Sequence, residues 1–174
     1  IRGAMTSNKR EKITRNTLFR FILWLCVLLV MGMIFAFSAQ NATESGSLSR
    51  QVTERLVRFF HAGYDHLPTA EQQAILTEAG LYVRKGAHFL EYTLLGALLR
   101  WLYGRYTRRR FLLPFLSGVL FAAGDELHQY FTPGRCAAWQ DVALDSAGVL
   151  TGVFLASLIS VIFYRIIRKR GANK

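Results

Sequence analysis

Residues 17–37 read TLFRFILWLCVLLVMGMIFAF, an apolar run whose only charged residue is Arg20. A helix of this length can cross the hydrocarbon core of a bilayer, which is about 30 Å thick. A secretory signal peptide is the alternative, since a basic stretch precedes the run. The apolar part is longer than the roughly 7–15 residues of a typical signal core, and no clear cleavage site follows. We therefore interpret the run as a span that stays in the protein.

Three more apolar segments follow, at 83–103, 111–131 and 143–164. Each is long enough to cross a membrane as a helix, and a helix satisfies its own backbone hydrogen bonds in lipid. The sequence therefore predicts an all-α fold, an integral membrane bundle of four transmembrane helices. The second and third segments carry charged residues near one end, so a soluble amphipathic helix is the alternative for each of them.

The composition agrees with one membrane domain. The chain has 174 residues, of which 52% are hydrophobic and 19% charged, and its formal net charge is +11. The basic residues lie in short runs between long apolar stretches, unlike the polar basic surface of a nucleic-acid binder, so we expect membrane lipids and no nucleic acid as partners. We assign residues 5–165 to the domain, 166–174 to a basic tail and 1–4 (IRGA) to an expression remnant.

The distribution of basic residues predicts an orientation. Sixteen of the 22 Lys and Arg residues lie before or inside the first span, at the link near 105–110, at the end of the second span, or in the C-terminal tail. These regions share one side of a four-span bundle, and basic residues mark the cytoplasmic side. We therefore expect both termini in the cytoplasm and the segment 38–82 outside.

The outer segment is expected to contain one or two short helices lying at the membrane interface. Residues 48–64 have apolar side chains near one helical face, and helical character resumes at 70–83, after Pro68. A small loop domain packed on the spans is the alternative.

In this topology the polar residues of the spans gather at one level, near the outer face. They occur in FSAQ (37–40), RKGAHFLEY (84–92), GDELHQYF (124–131) and WQDVALDSAG (139–148). Ionisable groups within spans are costly and normally face a partner or a water-filled cavity. The sequence thus predicts a polar pocket among the helices, with an ordinary inter-helix polar network as the alternative.

The residue types in this pocket suit acid–base or nucleophilic chemistry and anion binding. Three pairs share a helix face through their spacing: His88 with Glu91, Asp125 with His128, and Asp141 with Asp145. The candidate catalytic residues are His88, Glu91, Asp125, Glu126 and His128. The candidate substrate-binding residues are Ser38, Gln40, Arg84, Lys85, Gln129, Arg135, Asp141 and Asp145.

Metal binding is a further hypothesis, because carboxylates and imidazoles on facing helices can hold an ion. Its ligands would be His88, Glu91, Asp125 and His128. No cysteine pair and no H-E-x-x-H motif supports it. We therefore assign no residue as a metal ligand and leave the cofactor unknown.

Four stretches between residues 37 and 152, which extend or overlap the polar segments quoted above, resemble the VanZ-like family in their order and spacing. They are FSAQ, RKGAHFLEYTLLG, GDELHQYFTPGR and DVALDSAGVLTG. The resemblance implies a small multi-pass protein of the bacterial cytoplasmic membrane, in a family associated with resistance to the glycopeptide teicoplanin. It does not imply an activity, so whether the protein is an enzyme stays open.

We expect the protein to bind or modify an anionic amphiphile, such as a cell-wall lipid precursor, at the outer face. In an enzyme, His88 or His128 would be the base or nucleophile, and an acid of the third span would orient it. Arg84 and Arg135 would hold the anionic group. The alternative is a non-catalytic module that sequesters a lipid headgroup or a glycopeptide. The sequence also leaves open whether the chain forms a homo-oligomer.

Overall fold

The computed structural model describes residues 2–39, 42–104, 111–132 and 138–172. Within these ranges it contains α-helices and no strand, which confirms the predicted all-α class. The helices are α1 (Arg2–Ser38), α2 (Ala42–Phe60), α3 (Thr69–Tyr103), α4 (Leu112–Tyr130) and α5 (Trp139–Ala172), with a 3₁₀ turn at Tyr64–His66.

The outer segment differs from the sequence interpretation in one respect. α2 is a separate helix, as expected, but the helix expected after Pro68 is not separate from the second span. Both belong to α3, which runs for 35 residues without a break. Pro68 lies just before the first turn, where its missing N–H costs no helical hydrogen bond, and no proline follows inside the helix.

Two helices are long and apolar enough to cross a membrane by length and composition. These are Asn16–Ser38 in α1, with a mean hydropathy of 2.6, and Trp139–Arg170 in α5, with a mean hydropathy of 2.1. α3 and α4 do not reach the same hydropathy among the described residues. The apolar run of α3 contains one acid, one histidine and three basic residues, and that of α4 contains two acids and a histidine. Hydropathy thus supports a membrane protein, and it does not by itself give four spans.

The core is apolar and formed by α1, α3, α4 and α5. Its buried members are Leu23, Val27, Val30 and Ile34 of α1, Tyr92, Leu95, Leu98, Leu99 and Leu102 of α3, Ala122 of α4, and Val149 and Val153 of α5. Other large apolar side chains point outward, among them Leu29, Leu120 and Phe154, each more than half exposed. An apolar exterior around an apolar core suits contact with lipid.

α3 and α5 form the most extensive contact between two helices of the described residues, and two glycines of α5 permit their close approach. A Cβ atom at Gly148 would lie 2.6 Å from the carbonyl oxygen of Phe89, and one at Gly152 would collide with the carbonyl oxygen of Thr93. Glycines four residues apart are the usual device by which membrane helices approach closely. Asp145 is one turn before Gly148, so the same face of α5 directs it toward α3.

Candidate functional site

The first part of the site joins the end of α1 to α4. Ser38 Oγ donates a hydrogen bond of 2.7 Å to Asp125 Oδ2. Gln129 Nε2 donates to the same carboxylate oxygen at 3.1 Å and lies 3.3 Å from Ser38 Oγ. Ser38 is fully buried and Asp125 is 2% exposed. Asp125 Oδ1 is buried as well and accepts no hydrogen bond from the part of the chain that the structure describes.

The second part brings three helices together around that carboxylate. His88 of α3, Asp125 of α4 and Asp145 of α5 each offer one ligand-type atom, and these atoms lie within 4.8 Å of one another. Asp145 is 2% exposed, like Asp125. Neither acid forms a salt bridge with any described side chain. Two buried carboxylates without a cation are costly, so the arrangement requires a proton or a bound cation to offset their charge. We call these three residues the acid–histidine cluster.

Tyr92 belongs beside the cluster, and the sequence analysis did not select it. It is completely buried and follows His88 by one helical turn. Its hydroxyl lies beside the Asp125 carboxylate and within electrostatic range of Asp145. It nevertheless makes no hydrogen bond of normal geometry within the described ranges. A buried tyrosine hydroxyl usually has a partner. The i, i+4 spacing from His88 was the signal that could have identified it.

Glu126 has a contact that suits a structural role. Its Oε1 atom accepts a hydrogen bond of 2.7 Å from the backbone N–H of Ala138, immediately before α5. A carboxylate at a helix N-terminus is stabilising because the first N–H groups have no partner within the helix. Glu126 therefore holds the start of α5 against the end of α4, and its assignment as catalytic stays a prediction.

His128 lies against α1 rather than in the acid–histidine cluster. Its ring centroid is 4.1 Å from that of Phe35, with the planes tilted by 43°. Its Nδ1 atom is buried and has no hydrogen-bond partner among the residues described. Glu91 is half-buried on α3 and close enough to Asp125 to interact electrostatically. Neither Glu91 nor His128 joins His88 in the group of converging ligand atoms.

The remaining candidates lie at the edge of the site. Lys85 Nζ forms a salt bridge of 2.7 Å with Asp141 Oδ1, which links α3 to α5. Arg84, one turn before His88, lines a cavity of ≈320 Å³ together with Arg50 of α2. Polar side chains of both helices also line this cavity, which we call the arginine cavity: Thr53, Gln73 and Thr77. Gln40 and Arg135 lie outside the described residues.

The fold and the site define an all-helical membrane protein with buried acids and a histidine where four helices meet. The VanZ/LLP1 family model matches residues 21–162. This match covers most of the chain, so the protein belongs to the VanZ/LLP1 family, as the motifs predicted. No curated protein and no solved structure gives a significant match.

Proposed function

We propose that α1, α3, α4 and α5 all cross the membrane, with both termini in the cytoplasm and the acid–histidine cluster near the outer face. The contacts support alternating directions: Ser38 at the end of α1 meets Asp125 near the end of α4, while His88 and Asp145 precede most of the apolar residues of α3 and α5. Sixteen of the 22 basic residues lie at the opposite ends of these helices, which suits a cytoplasmic side.

At this outer face, the protein binds an anionic amphiphile and presents its headgroup to the acid–histidine cluster. One observation carries the proposal: the arginine cavity and the cluster share α3, with Arg84 and His88 one turn apart. Arginine binds phosphate oxygens through paired N–H donors. The outward-facing apolar side chains leave the acyl or prenyl tail in lipid. A cell-wall lipid precursor with a phosphate or diphosphate headgroup has this chemistry.

Modification of the headgroup is the activity that the cluster supports best. His88 is half-buried and lies with Asp125 and Asp145, one turn from Arg84, so it is the group of the cluster best placed to exchange a proton with a headgroup that Arg84 holds. Glycopeptide resistance would follow if the modified lipid altered the target or its supply. A module that only sequesters the lipid is the second candidate. The hydrogen bonds among Ser38, Asp125 and Gln129 favour it, because a network that only holds helices together performs no reaction.

The test uses purified protein in nanodiscs and short-chain polyprenyl phosphate, with phosphatidylcholine as the neutral comparison. We expect the double variant Arg50→Gln, Arg84→Gln to bind the polyprenyl phosphate at least about tenfold more weakly than wild type, since it loses two charge-assisted contacts. Arg55→Gln is the matched control, because Arg55 is an exposed arginine of α2 that does not line the cavity. Equal binding of both lipids by wild type would exclude the proposal.

Chemistry is tested in the same preparation by mass spectrometry of the lipid after prolonged incubation. Wild type converts the polyprenyl phosphate or diphosphate, and His88→Gln binds it without conversion. If wild type returns the lipid unchanged while binding it through the arginine cavity, the sequestering function is correct. In cells, wild type raises teicoplanin resistance, and the double arginine variant does not, although it inserts to the same level.

A further inference from the structure

We propose that His88, Asp125 and Asp145 hold a divalent transition-metal ion, such as Zn²⁺ or Mn²⁺. This ligand set differs from the one considered from sequence, because Asp145 replaces Glu91 and His128. Binding of the ion does not depend on the lipid, whereas its use in catalysis rests on the proposed function.

The first argument is geometric. Three helices supply one nitrogen-type and two oxygen-type ligand atoms, all within 4.8 Å of one another. A tetrahedral ion with bonds of about 2.1 Å places its ligand atoms about 3.4 Å apart. Small rotations of the side chains would close the remaining difference. Because α3, α4 and α5 already pack together through the core, no helix has to move to complete the site.

The second argument is the local charge. Asp125 and Asp145 are each 2% exposed, and the described side chains offer neither of them a salt bridge. Counting the three ligands alone, a neutral imidazole, two carboxylates and one divalent ion add up to zero charge, and Glu91 and Glu126 lie within electrostatic range as further acidic groups. Zero net charge is the least costly state for a buried ionic group in a low-dielectric surrounding.

The third argument comes from buried polar atoms without hydrogen bonds. Ser38 and Gln129 both donate to Asp125 Oδ2, which leaves Oδ1 buried and unpartnered within the described ranges. Donors that hold the far oxygen of a carboxylate are the usual support of a metal ligand. The fully buried Tyr92 hydroxyl lies beside Asp125 without a hydrogen bond of normal geometry in the described ranges, so it can donate to the Asp125 carboxylate or to an oxygen on the ion. These orphaned atoms lie where the ligand atoms converge.

The ligand types indicate the class of ion. Imidazole suits zinc, iron, nickel or copper, and carboxylates suit magnesium or manganese, so the mixed set favours a borderline ion. Three protein ligands leave a coordination position free, as in catalytic rather than structural zinc sites. When bound, the ion would polarise an oxygen of the headgroup that the arginine cavity holds.

The experiment measures the metal directly. The protein is purified in detergent through a Strep-tag, without chelators, and its metals are counted by inductively coupled plasma mass spectrometry. We expect about one ion per chain in wild type, removal by EDTA, and a rise in melting temperature when Zn²⁺ or Mn²⁺ is restored. Asp145→Asn and His88→Gln abolish both the bound ion and the shift. Asp141→Asn, the same change one turn earlier on α5, keeps both.

Three results would overturn the inference. Wild type could hold no stoichiometric metal and show no shift with either ion, which would mean that protons neutralise the carboxyls. Asp145→Asn and His88→Gln could keep the ion, or Asp141→Asn could lose it, which would refute the ligand set. Circular dichroism and gel filtration separate loss of the ion from loss of the fold, and either of the two ligand variants suffices if the other is unfolded.

The metal count and the lipid-binding experiment, made on the same chelator-free protein, keep the two proposals apart. If this protein holds no stoichiometric metal and still binds the lipid through Arg50 and Arg84, only the metal site is refuted. A stoichiometric ion in a protein without preference for anionic lipid would refute only the proposed function.

Discussion

Asp125 connects more of the site than any neighbouring side chain among the residues described. Its Oδ2 atom receives hydrogen bonds from α1 and from its own helix, and its carboxylate also faces His88 and Asp145. Removal of one donor to Asp125 should therefore lower the free energy of unfolding of the whole bundle. Ser38, the last residue of α1, is the donor that can be removed with the smallest change in shape.

We expect Ser38→Ala to lower the free energy of unfolding by about 1–3 kcal/mol, because the buried Asp125 Oδ2 atom loses one of its two hydrogen-bond donors. Ser160→Ala is the control: its hydroxyl donates only to the Ala156 carbonyl of its own helix, so we expect a change within about 0.5 kcal/mol. Thermal unfolding in one detergent measures both. Equal melting temperatures for the two variants would show that the bond between α1 and α4 contributes nothing.

The proximity of several candidate residues could be predicted from sequence, but not all of their contacts. The sequence indicated that Ser38, His88, Asp125 and Asp145 lie at one level, and the structure brings them together. It did not select Tyr92, because an aromatic residue in an apolar helix usually belongs to the core. The contacts of Glu126 and His128 could not be predicted either. Periodicity shows which residues share a helix face, but not which neighbouring helix that face contacts.

At the scale of the helices, the approach of α5 to α3 decides whether the cluster forms. Gly148 and Gly152 face α3 backbone atoms that cannot move aside as a side chain could. The same face of α5 carries Asp145, so separation of the helices would also withdraw one member of the cluster.

We expect Gly152→Ala to destabilise the protein by about 1–3 kcal/mol, because the added methyl group overpacks the interface. Gly32→Ala in α1 is the matched control. A Cβ atom there meets nothing within 4 Å, so the change should be neutral or stabilise by up to about 1 kcal/mol through helix propensity. Chemical or thermal unfolding measures the difference. An unchanged stability in Gly152→Ala would mean that α3 and α5 are less closely packed than described.

The sequence interpretation divided α3 into two elements because the residue pattern changes along the helix, as it would if α3 enters the membrane in the proposed way. Residues 70–83 are polar on one face, whereas the following residues are largely apolar. A change from a wet to a lipid surrounding alters the residue pattern without breaking backbone hydrogen bonds. Pro68 precedes α3, and no other proline interrupts the helix between Thr69 and Tyr103.

For the whole molecule, membership of the VanZ/LLP1 family and the all-α class were predicted from the sequence. The number of spans is harder to determine from hydropathy. The acids and histidines of α3 and α4 place these helices in the site and also lower their hydropathy. If α3 and α4 cross the membrane as proposed, the polar residues of the candidate site are the reason that hydropathy does not detect them. The distribution of Lys and Arg residues along the chain gives independent support for four spans, because it favours placing both termini and the link near 105–110 on one side.

The proposed topology predicts which positions an impermeant maleimide reaches in intact cells. With Cys26 and Cys136 replaced by alanine, we expect Glu78→Cys to be labelled from outside and Thr107→Cys only after the cells are opened, since the two lie beyond opposite ends of one span. Gel shift with a polyethylene-glycol maleimide reads the result. Labelling of both from the same side would remove α3 from the membrane and the four-span topology with it.

The unbroken course of α3 has a mechanical consequence. Its 35 residues extend about 52 Å at 1.5 Å per residue, which exceeds the roughly 30 Å of hydrocarbon by about 20 Å. If α3 crosses the membrane as proposed, its protruding end and the half-buried His88 belong to one continuous helix, so a rotation or tilt of that end would also move His88. Even a single residue inserted between Leu81 and His88 would turn one end against the other by about 100°. In the proposed topology, a partner bound to the protruding end of α3 would therefore change the position of His88 relative to Asp125 and Asp145.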